Sequence, residues 1–120
     1  MYTYDNPEII EVSAYSLDTY LTNNYFDLVL IDIEGSEYFA MQGMTNILSK
    51  TKTLIVEFLP HHIINVAGVR LTDFLENVPK HLTKLTIPSK NCTYSINEGF
   101  VVLQQMFDSG QGDDGIIFHN

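Results

Sequence analysis

Asp32, Glu34 and Glu37 surround Gly35 at the end of an apolar run that begins at Phe26. A second apolar run, Thr53 to Leu59, carries Glu57 and passes directly into Pro60-His61-His62. A carboxylate set in or just after an apolar run must find partners or shift its pKa, because burial disfavours the charged form. Asp32 and Glu57 are therefore candidates for proton transfer or for holding a cation. On an extended backbone Asp32 and Glu34, two residues apart, lie on the same side. Glu37 has a simpler explanation as well: an acid in the first turn of a helix is stabilised by the macrodipole. His61 and His62 read either as ligands or general bases, or as ordinary loop residues after a strand.

Positioning these groups requires two neighbouring strands. Ile9 to Tyr15 reads as a short extended piece, and Ser16 caps a helix with Leu17, Tyr20 and Leu21 on one face. Asp27 to Ile33 reads as a buried strand. Ser36 then caps a helix whose buried face is Met41, Met44, Ile47 and Leu48, with a break at Gly43. Thr53 to Leu59 is the next strand, and strand-helix-strand order implies a parallel pair with a right-handed crossover. The carboxyl ends of the two strands would then share a crevice, where open α/β sheets bind ligands. Further on, Thr72 caps a helix through Phe74, Leu75 and Val78. Leu82 to Ile87 is a strand stopped by Pro88, Ser95 opens a helix carrying Phe100, Leu103 and Phe107, and Gly115 to His119 is a last strand. The chain thus reads as one small open α/β sheet.

Composition excludes several classes. The 120 residues carry a formal charge of −9, with no Lys or Arg before Lys50, which disfavours both nucleic-acid backbone and anionic membrane as partners. The lone Cys92 forms no intrachain disulfide, no Cys/His cluster has structural-zinc spacing, and no signal peptide or spanning segment occurs, so the expected setting is the cytoplasm. Gly110 to Gly115 spells G-x-G-x-x-G, but helix precedes it and only five residues follow, the reverse of a dinucleotide fingerprint. It reads as a turn. Asn91-Cys92-Thr93 reads as a plain loop rather than a glycosylation site.

Ser16 to Leu21, the block Asp27 to Glu37, Met41-Gln42-Gly43 and Leu54-Ile55-Val56-Glu57 together resemble consecutive blocks of the FkbM-type methyltransferases. The resemblance implies a Rossmann-like, mostly parallel sheet and S-adenosylmethionine-dependent methylation of a hydroxyl on a sugar or other small molecule. It also implies that residues 1–120 are a single partial domain, strands four to seven of the class I methyltransferase sheet with the last strand antiparallel. The family's cofactor-binding half has no counterpart in these residues, so the chain by itself is expected neither to bind the cofactor nor to act. Carried over by position, Asp32 and Glu34 would face the methyl-transfer crevice, Glu57 would lie beside it, and Asp32 with Ile33 would touch the cofactor. Glu37, His61 and His62 would stand on the substrate side.

Two other readings remain beside that one: a non-catalytic α/β binding or assembly module, and a small metal site made from Asp32, Glu34, Glu57 and His61. The principal reading assigns no metal. It also leaves the strand Asp27 to Ile33 as an apolar edge, which implies a homodimer through that edge or a chain that supplies the missing half.

Overall fold

The computed structural model describes residues 8–120. β1 (Leu28–Ile31), β2 (Thr53–Phe58), β3 (Lys84–Ile87), β4 (Cys92–Ser95) and β5 (Asp113–His119) form one sheet in the order β1-β2-β5-β3-β4. β1 and β2 are parallel, as the intervening helical sequence requires, with Leu28 opposite Thr53 and Ile31 opposite Val56. β5 enters antiparallel between β2 and β3, in keeping with the expected reversal of the last strand.

The sheet is nevertheless mixed rather than mostly parallel, because a single pairing is parallel and the three others are antiparallel. Two local causes account for this. β5 lies between two strands that both run against it, and β4 folds back on β3 as a hairpin. The hairpin corrects the loop reading of Asn91-Cys92-Thr93. Pro88–Lys90 form a 3₁₀ turn and Asn91 takes a left-handed conformation (φ 50°), a combination tight enough to reverse the chain. β4 escapes notice in sequence because Cys92, Thr93 and Ser95 are all exposed, so no apolar run marks it.

Among the described residues six helices, all short but the last, accompany the sheet: α1 (Leu17–Tyr20), α2 (Glu37–Gln42), α3 (Thr45–Leu48), α4 (Pro60–His62), α5 (Leu71–Leu75) and α6 (Ile96–Ser109). The break at Gly43 separates α2 from α3, and Met41, Met44, Ile47 and Leu48 are all buried as expected. Ser95 caps α6 by accepting the Glu98 N–H, and Gly110 ends that helix in a left-handed turn, so the glycine run is a helix stop leading into β5. Two caps differ from expectation. Ser36 makes no side-chain cap bond, and α5 starts one residue before Thr72, with Asp73 accepting the Arg70 N–H at 3.1 Å.

The core lies on one face of the sheet. Leu54, Val56 and Phe58 of β2, Leu85 and Ile87 of β3, and Ile116 and Phe118 of β5 are buried against the helices. Gly99 of α6 lies so close to Leu85 that a Cβ there would stand 2.8 Å from that side chain. On the opposite face Ile55 and Ile117 are half-buried. β1 is shorter and more open than the buried strand expected over Asp27 to Ile33. It is the last strand on its side of the sheet, with Leu28 56% and Leu30 64% exposed and Ile31 buried. Ile9 to Tyr15 is exposed and forms no strand. Among the described residues no helix is long and apolar enough to cross a membrane.

Candidate functional site

Parallel pairing sends the carboxyl ends of β1 and β2 to the same mouth of the sheet, and there the acidic side chains meet. Carboxylate oxygens of Asp32, Glu37 and Glu57 lie within 4.8 Å of one another, and so do ligand atoms of Glu34, Glu57 and His62. Glu57 belongs to both groups. The expected convergence of Asp32 and Glu57 from separate strands is therefore present.

Local backbone chemistry aims these groups. After β1 ends at Ile31, Glu34 adopts φ 57° and Gly35 φ 104°, which reverses the chain into α2. Extended alternation does not operate there, so Asp32 and Glu34 approach Glu57 by different routes rather than as same-side neighbours on a strand. A Cβ at Gly35 would meet Val66 at 2.8 Å, because a π-type turn, Ile63–Ala67, packs against the loop. Glu37 is 4% exposed and its Oε1 accepts the Ile33 N–H at 2.9 Å. That bond ties the loop to α2. It gives Glu37 a part in positioning the loop.

At Glu57 the register between β2 and β5 shifts between Val56 and Phe58, a bulge of the kind that re-aims a side chain near a site. Burial, followed by the adjacent carboxylates of Asp32, Glu37 and Glu34, pushes the Glu57 carboxyl up to about 7. Every charged neighbour that moves it is another acid. Its Oε1 stands 3.3 Å from Nδ1 of His62, yet both atoms are shut off from solvent and make no hydrogen bond.

The histidine that joins the cluster is His62, not His61. Pro60 opens a helical turn after Leu59, and this turn brings the residue five after Glu57 back over it. His61 is exposed, with its ring centroid 4.4 Å from that of His62, and belongs to neither group of clustered side chains. Adjacent histidines in a sequence cannot be told apart until the turn that follows the strand is known. Val66 was missed altogether, and the only sequence sign of its role is Gly35.

At the same end of the sheet, Leu59, Pro88, Ser89, Asp113 and Asp114 line a shallow depression of about 600 Å³, to whose lining none of the clustered side chains contributes. Asp113 braces it by accepting N–H bonds from Ser89 at 2.9 Å and Gly115 at 3.0 Å. A groove of about 560 Å³ between α5 and α6, walled by Leu75, Val78, Ile96 and Phe100, shares no residue with this site. Chemically, the mouth offers proton acceptors and cation ligands in partial shelter from water.

A family model described as the methyltransferase FkbM domain matches residues 1–96. No curated protein and no solved structure matches the chain.

Proposed function

The chain belongs to the FkbM methyltransferase family, and from that premise we propose that its sheet mouth is the acceptor side of an O-methyltransferase site, acting on a hydroxyl of a sugar or another small molecule. The observation that carries this reading is the meeting of Asp32 and Glu57 at the mouth that two parallel strands share. In this reading β1, β2, β3 and β5 correspond to strands four to seven of the class I sheet.

The family uses S-adenosylmethionine, which supplies when bound an electrophilic methyl on a cationic sulfonium. The residues present fit that group in charge, since every charged neighbour that shifts Glu57 is another carboxylate. Asp32 would face the cation. Ile33, whose N–H is already committed to Glu37, would offer its half-exposed side chain as an apolar wall. Methyl transfer to oxygen depends mainly on proximity and alignment, and Glu57 or Asp32 would take the hydroxyl proton as the bond forms. Glu34 and exposed His61 would meet the acceptor from the rim. A reducing, cytoplasmic setting suits the free Cys92.

These residues supply the acceptor side and not the family's cofactor cradle, so the 120-residue chain alone should show no saturable calorimetric binding of the cofactor. The test of function joins residues 8–120 behind the cofactor-binding half of an active family member and follows transfer of a labelled methyl to hydroxyl acceptors. Transfer that falls about 100-fold with Asp32→Asn or Glu57→Gln supports the reading. A folded chimera that binds cofactor and transfers no methyl, or transfers it equally well in both variants, overturns it.

A further inference from the structure

Glu57 Oε1 and His62 Nδ1 stand 3.3 Å apart, an ion-pair distance when the imidazole is protonated, yet both atoms are buried and neither makes a hydrogen bond. A buried polar atom without a partner costs free energy, and two that face each other across a short gap call for something between or beside them. One ligand atom from each of Glu34, Glu57 and His62 lies within 4.8 Å of the others. The set is also mixed, an imidazole with two carboxylates.

We propose that Glu34, Glu57 and His62 bind a divalent cation of the manganese or zinc type. Carboxylate oxygens are common to all hard divalent ions, but an imidazole nitrogen turns the preference away from Mg²⁺ and Ca²⁺. The neighbouring trio of Asp32, Glu37 and Glu57 is the poorer host, because Glu37 Oε1 is occupied by the Ile33 N–H. Asp32 then serves as an outer carboxylate beside Glu57. The site differs from the one expected from sequence in its histidine, with His62 in place of His61. A cation here would leave outward positions for an acceptor oxygen, lowering the pKa of a hydroxyl and fixing its direction. Ion binding itself does not depend on the methyltransferase reading, so failure of one is distinguishable from failure of the other.

The test uses the 120-residue chain stripped with chelator and titrated calorimetrically with MnCl₂, and in parallel with ZnCl₂. About one ion per chain with a dissociation constant in the micromolar range is expected, weakened about tenfold or more by His62→Gln and by Glu57→Gln. Asp108→Asn, remote on α6, should change nothing. In proton spectra Mn²⁺ should broaden the His62 ring resonances while those of His81 and His119 persist, a readout that survives any loss of stability in the variants. Absence of saturable binding overturns the proposal. So does binding that the His62 and Glu57 variants leave intact, which would describe ions scattered over an acidic surface.

Discussion

Glu57 is an acid whose surroundings favour its neutral form. Its carboxyl, ordinarily near 4.5, is held up to about 7 by burial and by the carboxylates beside it. An acid whose pKa is raised on folding binds its proton more tightly in the folded state. Its stabilising contribution is therefore present below pH 4.5 and is lost as the pH climbs through about 7. Replacing Glu57 with Gln removes the ionisation and should leave stability little changed near pH 4, below the ordinary value of 4.5, while adding about 1–3 kcal/mol near pH 8. Urea unfolding of both proteins in chelator at the two pH values measures this. An equal effect at both would mean that Glu57 is not raised by its neighbours.

At the scale of elements, short helices need ties that their own length cannot supply, since helices of a few residues are marginal alone. Asp18 of α1 provides one by capping α3 across the chain: its carboxylate accepts the N–H groups of Asn46 at 2.8 Å and Ile47 at 3.0 Å. Desolvation works to raise its pKa, and the bonds from Asn46, Ile47 and the Thr45 hydroxyl outweigh that and lower it. Asp18→Ala should cost about 1 kcal/mol at neutral pH and less in acid, where protonation has already weakened the cap. Thermal unfolding at several pH values checks the trend. The loop between β1 and α2 is tied differently. Gly35→Ala would impose a side chain at φ 104° and press it on Val66, costing about 1–3 kcal/mol. Adding Val66→Ala should recover only part of that loss in urea unfolding, because the backbone strain remains.

At the scale of the whole molecule, the apolar side is unevenly placed. Leu28, Leu30 and Ile33 are exposed on or just after β1, whose outer edge is unpaired among the described residues. We propose that a second copy pairs with this edge, the two strands running antiparallel about a two-fold axis. Such pairing brings the Asp27 and Asp32 ends of the two strands together, and the chain carries a charge of −9. Added salt should therefore tighten the dimer by screening. Sedimentation at several protein and salt concentrations measures it, and Leu30→Lys should shift the chain to monomer. A wild-type chain that stays monomeric at high concentration and high salt would overturn the pairing.

How much of this was legible in the chain depends on the range of the interactions involved. Apolar runs and helical spacing are local properties, so β1, β2, the break at Gly43, the Ser95 cap and the gathering of Asp32 and Glu57 at one mouth were readable in advance. The blocks from Ser16 to Glu57 carried the family as well. β4 was not readable, because an exposed edge strand buries no side chain and leaves no pattern. Neither was the choice of His62 over His61, which the turn after β2 makes, nor the tie from Glu37 to Ile33, which a helix-dipole argument masks. The elevated proton affinity of Glu57 arises only when side chains from separate elements share one sheltered space. Sequence determined which residues carry charge and which segments are strands; tertiary structure alone decided which charges meet, since that follows from strand order, turn geometry and the exclusion of water.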